Sequence, residues 1–250
     1  MTAFGSIVVN TLRGFLGGRR SWLLLALAMI PGVVQLIAGL VSGSAVGSQL
    51  YEEFSTQVLF TLLIPAVAIT FGANAFGEEK RGKTMAFLTL RPISRWTIAA
   101  AKLVAAWLGA SLVGGLGAVF AAFALGVGSG IWTELVPGVV GATLSALVYA
   151  ALLLPLGLVM KRATLAGLVY LLLIEQFLAR TVRQFSNLSP FRVGTSAYAD
   201  LSQFARVIAT LEETNGAVVA GAGGATLKAL VIALIMWAIT GFALRELDLV

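Results

Sequence analysis

The sequence has neither cysteine nor histidine, and only 11% of its residues are charged. These absences exclude disulfides, a thiol nucleophile, an imidazole base and zinc sites of the usual kinds. Serine–histidine catalysis is excluded for the same reason, and neither a Walker loop nor a GxGxxG motif occurs. We therefore expect no catalytic site, metal site or cofactor on this chain, and any enzymatic chemistry would have to rest on its eleven carboxylates.

Apolar residues, in contrast, make up 59% of the chain, and the mean hydropathy is +0.97. Such a composition lies outside the range of soluble globular domains. A spanning helix needs roughly 20 apolar residues, and six runs are predicted to span: 22–41, 57–77, 98–126, 135–159, 163–178 and 227–244. The sequence thus predicts an all-α integral membrane protein whose residues 1–250 form a single transmembrane domain. Too little of the chain remains for a separate soluble domain, so any catalytic domain of ordinary size would lie on another polypeptide.

The basic residues predict how the chain is oriented. Twelve of the seventeen Lys and Arg fall on the side of the amino terminus when the six spans are threaded through a membrane. Because Lys and Arg are enriched in cytoplasmic loops, both termini are predicted to be cytoplasmic. The remaining five lie on or beside the long outer loop 179–226, which is less bound by the rule.

The segments outside the spans show helical patterns of their own. Residues 1–20 are predicted to form an interfacial helix, with an uncleaved first span favoured over a signal peptide because more membrane segments follow. In the outer loop, Leu201, Phe204, Ala205, Ile208 and Leu211 mark one helical face, and Ser196 or Asp200 is predicted to cap its start. This outer helix could cover an exit route or simply rest on the bundle.

One acidic residue, Glu175, falls within a predicted span. Intramembrane charge suggests a functional polar site, but a position near the outer end also allows a simple ion pair with Arg180 or Arg183. The third span carries a second feature, small residues at every fourth position: Ala110, Gly114, Ala118 and Ala122. Such residues let helix backbones approach closely, either within one chain or at a dimer seam or gate.

A charged island, residues 78–102, separates the second and third apolar runs. It contains six of the basic residues, yet its middle, 85–90, is apolar enough to dock on a partner. Thr84, Phe87, Leu88 and Arg91 lie on one helical face; Pro92 ends that helix, and Ser94 can cap the next one.

The order of residues in this island, E-E-x-x-G-K-T-x-x-F-L-x-x-x-P-I-S-R followed by Lys102, resembles the segment after the second membrane helix in permease subunits of ABC-2 type ABC transporters. The layout of six spans, an amino-terminal surface helix and a large last outer loop extends the resemblance over essentially the whole chain. Lys83-Thr84 stands where many relatives carry Gly-Thr.

The resemblance implies a type V exporter-like bundle in a bacterial plasma membrane. Two permease subunits would work with two separate ATP-binding subunits, on which ATP and Mg would bind. The loop 78–97 would be the coupling segment, and the residues implied in ATPase coupling are Glu78, Glu79, Thr84, Phe87, Leu88, Pro92 and Arg95. Drugs, peptide antibiotics, lipids or glycans are the implied cargo classes.

Two other classes remain open at this stage. A stand-alone secondary carrier or channel should show inverted repeats and polar residues at mid-membrane, neither of which is clear in the sequence. A non-transporting membrane scaffold would keep the basic loop as a docking site and need no nucleotide-driven cycle.

Overall fold

A computed structural model describes residues 3–81, 93–178, 190–204 and 221–246, and these residues are almost entirely helical. The prediction of an all-α membrane bundle is confirmed. The helices are α1 Ala3–Leu16, α2 Arg19–Ser42, α3 Ser44–Ala73, α4 Gly77–Arg81, α5 Arg95–Ser129, α6 Leu135–Val159, α7 Ala163–Tyr170 continuing as Leu171–Leu178, α8 Phe191–Leu201 and α9 Gly221–Glu246.

Five helices of the described part, α2, α3, α5, α6 and α9, are long and apolar enough to cross a membrane. α1 and the first part of α7 are shorter apolar helices, and the predicted span 163–178 lies on α7. Because successive spans reverse direction, α1, α4 and the turn between α6 and α7 come together at one end of the bundle. We call this the basic end, and the other the opposite end.

α3 is continuous, but two of its turns are π-helical, Tyr51–Ser55 and Leu59–Leu63. The second of these turns comes just before Pro65. Proline has no N–H to donate, and a wider turn is a common way for a membrane helix to accommodate it. Pro65 thus lies where α3 changes from a π-helical to an α-helical turn.

α5 and α6 form the centre of the bundle. α5 packs against α1, α2 and α6, while α6 also packs against α3, α8 and α9. The small residues of α5 allow this crowding: a Cβ on Gly117 would lie 2.7 Å from the carbonyl oxygen of Ala28 in α2. Ala110, Ala118 and Ala122 are likewise buried. The small-residue stripe thus serves packing within one chain.

α1 packs its apolar face on the bundle. Val8 is buried against Ala101 and Ala105 of α5, and the ring of Phe15 meets Phe71 of α3 edge-on at 4.8 Å between centroids. α1 is therefore a helix with one buried face, held at the basic end of the bundle.

α2 and α9 are the least buried of the five long helices. They expose large apolar side chains along their length, among them Trp22, Leu40, Leu227 and Leu234. A water-soluble protein rarely exposes such continuous apolar surface, so these faces fit contact with lipid or with another membrane chain.

The helix at the opposite end differs from the prediction. α8 ends at Leu201 and Ser202–Phe204 are not helical, so Ser196 and Asp200 lie inside α8 and do not cap its start. The predicted cap is therefore wrong. Asp200 instead interacts with another helix: its Oδ2 accepts a hydrogen bond of 2.7 Å from the backbone N–H of Ala222, in the first turn of α9. Ala205, Ile208 and Leu211 lie outside the described residues.

Candidate functional site

The short helix α4, Gly77–Arg81, is joined to α5 by an ion pair across the basic end. The Lys102 ammonium donates to Oε1 of Glu79 and lies 5.7 Å from the centroid of the Phe76 ring. The Lys102 side chain is only 2% exposed, and that of Glu79 is 19% exposed. A charge so deeply buried needs its partner, so the pair fixes α4 against the central helix of the bundle.

The neighbouring residue, Lys80, joins α4 to α6. Its Nζ donates to the carbonyl oxygens of Gly157 at 2.6 Å and Met160 at 3.3 Å. These carbonyls belong to the last turn of α6, where backbone acceptors have no partner within the helix and a cation is favoured by the helix dipole. Partial burial lowers the pKa of Lys80. α4 is therefore attached to both central helices through consecutive side chains.

The first turn of α5 is attached to α9. Trp237 Nε1 donates to the carbonyl oxygen of Trp96 at 2.9 Å, and the two indole rings lie 5.1 Å apart. The guanidinium of Arg245 lies over the Trp96 ring at 5.2 Å. Ser94 occupies the N-cap position, but its side chain makes no capping hydrogen bond. The start of α5 is thus held mainly by aromatic contacts.

The residues implied in ATPase coupling are only partly within the described structure. Glu79 lies in α4, and Arg95 begins α5 and is half-buried. Glu78 belongs to α4, but its side chain is not among those described. Thr84, Phe87, Leu88 and Pro92 lie outside the described residues. Their coupling role stays a prediction.

The structure adds a feature that the sequence interpretation missed, the pairing of Glu79 with Lys102. Lys102 lies within an apolar run, and unpaired charges are rare inside spans. Its position therefore indicated that an acidic partner was needed. Several acids could have filled that place, and 23 positions separate the two residues. The contact between α4 and α5 in the folded chain selects Glu79.

Glu175, the predicted intramembrane polar site, is 5% exposed. Its carboxylate accepts hydrogen bonds from the hydroxyls of Tyr149 at 2.9 Å and Tyr170 at 3.0 Å. The alternative partners Arg180 and Arg183 lie outside the described residues. Glu175 therefore lies inside the bundle, where it connects α7 with α6.

A second buried carboxylate, Glu134, lies at the opposite end and was not singled out from the sequence. It is 0% exposed and accepts hydrogen bonds from Tyr198 Oη at 2.7 Å, Ser202 Oγ at 2.8 Å and the N–H of Gln203 at 3.2 Å. Burial, together with the nearby Tyr51 and Glu134, raises the pKa of Tyr198, so this hydroxyl remains a donor. Glu134 thus joins the start of α6 to the end of α8.

These observations define a class: a multi-pass, all-helical membrane protein with tightly packed central helices and a basic end anchored by a short helix. A family model described as ABC-2 family transporter protein matches residues 26–244. The chain therefore belongs to the ABC-2 transporter family, whose permeases generally work with ATP-binding subunits. No curated protein matches the chain.

Proposed function

We propose that this permease is the membrane-spanning subunit of an ATP-driven exporter and receives the power stroke of a separate ATP-binding subunit through the loop 78–97. The observation that carries the proposal is the attachment of α4 to both α5 and α6. Family membership supports the transport class, and the motif in the island supports the place of coupling.

A coupling segment must be attached rigidly to the membrane helices, so that its displacement moves them and is not lost in local bending. α4 comes just before the docking segment predicted at 84–91, and α5 begins at Arg95 just after it. The Glu79–Lys102 ion pair and the Lys80 contacts to Gly157 and Met160 connect this region with α5 and α6. A displacement of α4 would therefore move the two central helices together, which is the rigid-body behaviour that alternating access needs.

The proposal includes orientation and assembly. The basic end faces the cytoplasm in accordance with the positive-inside rule, which places α4 where a cytoplasmic ATPase can reach it. Two permease and two ATP-binding subunits form the working unit, and ATP and Mg bind on the ATPase. The sparse charge of the spans favours a lipophilic or amphipathic cargo.

The first experiment is to reconstitute the cognate ATP-binding subunit in lipid with and without this chain, and to measure co-purification and ATP hydrolysis. We expect chain-dependent hydrolysis that responds to lipids, peptides or lipophilic drugs. Absence of both association and stimulation would contradict the proposal and favour a stand-alone carrier or a scaffold.

Two kinds of variant separate docking from transmission. Phe87→Asp or Leu88→Asp should abolish co-purification of the ATPase while leaving membrane insertion unchanged, because a charge is placed on the apolar docking face. Lys80→Met should keep association but reduce stimulated hydrolysis, because α4 loses its contacts with α6. Glu53→Gln, at the opposite end, is the matched control and should change neither. Normal co-purification of the Asp variants would contradict the docking assignment.

A further inference from the structure

Two neighbouring clefts open at the basic end of the bundle. One, of about 380 Å³, lies between the end of α1, the first turn of α2 and the end of α3. The other, of about 320 Å³, lies between α4, the end of α6 and the start of α7. Arg20 and Asn74 line both clefts. Asn74 Nδ2 donates to Thr164 Oγ1 at 3.1 Å, so the wall shared by the clefts is itself ordered.

The linings of these clefts are basic. They contain no acidic side chain from the described part of the chain, whereas five cations contribute to them: Arg19, Arg20, Lys80, Lys161 and Arg162. The cations come from three separate elements: the start of α2, α4, and the turn between α6 and α7. Elements distant in sequence thus concentrate positive charge around one shared wall.

The start of α2 adds to the positive potential of the first cleft. The first turn of α2, residues 19–21, lines the first cleft, and the N-cap residue Gly18 supplies no side-chain hydrogen bond. The Ser21 N–H donates to the carbonyl oxygen of Gly18 at 3.1 Å, so the backbone donors that this turn offers are those of Arg19 and Arg20. The helix dipole favours an anion beside them. The cleft therefore offers backbone donors as well as arginines.

The clefts also adjoin the apolar surface of the bundle. Leu165, which lines the second cleft, is 57% exposed, and Trp22, two residues beyond Arg20, is 67% exposed. Tryptophan and basic side chains typically lie at the membrane–water interface. A ligand with a charged head and apolar chains would meet both kinds of surface here.

We propose that these clefts bind the phosphate headgroup of an anionic bilayer phospholipid, with its acyl chains along the exposed apolar faces beside Trp22 and Leu165. Basic pockets between membrane helices on the cytoplasmic side are a recurring way to bind such headgroups. The shared chemistry is that of a phosphate ester, and the apolar rim selects the lipid over a soluble phosphate. The inference does not depend on ATPase coupling.

The experiment measures lipid binding to the purified full-length chain in neutral detergent by native mass spectrometry, with titration of phosphatidylglycerol or phosphatidylcholine. We expect phosphatidylglycerol to bind preferentially to the wild type. Each basic residue near a membrane surface contributes about fivefold in affinity. Arg20→Gln/Arg162→Gln should thus weaken phosphatidylglycerol binding by about 25-fold and leave phosphatidylcholine binding unchanged.

Arg13→Gln is the matched control because Arg13 is exposed at the same end but lines neither cleft. It should retain wild-type binding, as should Arg20→Lys/Arg162→Lys, which keeps the charge. Equal melting temperatures would show that the glutamine variants are folded, as the exposure of both arginines predicts.

The outcomes separate the possible occupants. Wild-type phosphatidylglycerol binding by the double glutamine variant, or an equal loss in Arg13→Gln, would overturn the site in favour of diffuse surface charge. A further titration uses inorganic phosphate. If phosphate displaces the lipid at equal concentration with the same dependence on Arg20 and Arg162, the occupant is a soluble phosphate and the lipid assignment is overturned. Retention of bound lipid in excess phosphate supports it.

Discussion

The two ends of the bundle each hold a glutamate between helices, but they do so in different ways. At the basic end, Glu79 meets the ammonium of Lys102, a full opposite charge that is itself 2% exposed. At the opposite end, the donors described for Glu134 are neutral: two hydroxyls and one backbone N–H. Both arrangements connect helices. At the basic end one full positive charge stabilises the carboxylate, whereas at the opposite end several neutral hydrogen-bond donors do so.

The difference predicts how the stability of each end responds when a substitution removes one interacting group. A buried ion pair depends on both members, because removal of one leaves an uncompensated charge. A carboxylate with several neutral donors depends on none of them completely, since the remaining donors still solvate it. We therefore expect the basic end to lose most of its stabilisation when either charge is removed, and the opposite end to lose stability in smaller steps.

The largest effect is expected for Glu79→Gln. It leaves the Lys102 ammonium buried without a counter-charge and should lower the free energy of unfolding by about 3 kcal/mol. Lys102→Met should cost less, because the Glu79 side chain, at 19% exposed, lies nearer to water than the Lys102 side chain, at 2%. Thermal or denaturant unfolding in detergent measures both variants.

The double variant Glu79→Gln/Lys102→Met is the control for this pair. It removes both charges, so it should recover much of the stability lost in Glu79→Gln. If the two single changes are simply additive in the double variant, the ion pair does not join α4 to α5 in the way described.

A smaller effect is expected for Glu134→Gln at the opposite end. The amide keeps one acceptor oxygen but turns an NH₂ group towards a hydroxyl or N–H donor, so part of the cluster loses its acceptor. We expect a loss of about 2 kcal/mol in unfolding free energy. A loss equal to that of Glu79→Gln or greater would remove the distinction between the two ends.

How much of this was predictable depends on whether a feature is local or long-range. The all-helical membrane class follows from composition and hydropathy, which are properties of continuous segments. The partners of Lys102 and Glu134 do not, because they lie on other elements and many pairings satisfy the same composition. Asp200 shows the same limit: its residue type indicated a cap, but the helix that it caps begins more than twenty residues later.

Tyr198→Phe tests the graded response more finely. The change removes one donor from Glu134, while Ser202 Oγ still donates to the same carboxylate oxygen. The ring contact with Phe60, at 4.9 Å between centroids, can be kept by phenylalanine. We expect a loss of about 1 kcal/mol, measured by the same unfolding assay. Destabilisation as large as that of Glu134→Gln would show that Tyr198 alone carries the cluster.

The smallest effect is expected for Asp200→Ala, which removes the acceptor for the Ala222 N–H at the start of α9. Loss of a helix cap of this kind typically costs about 1 kcal/mol or less at an exposed position. Asp200→Asn retains an acceptor oxygen and is the matched control, with an expected change of only a few tenths of a kcal/mol. Hydrogen exchange at residues 221–224 is the sharper measurement, because fraying of the first turn of α9 should accelerate in the alanine variant alone. If exchange is accelerated equally in both variants, the charge of Asp200 holds this helix end. The opposite end would then depend on a full charge, just as the basic end does.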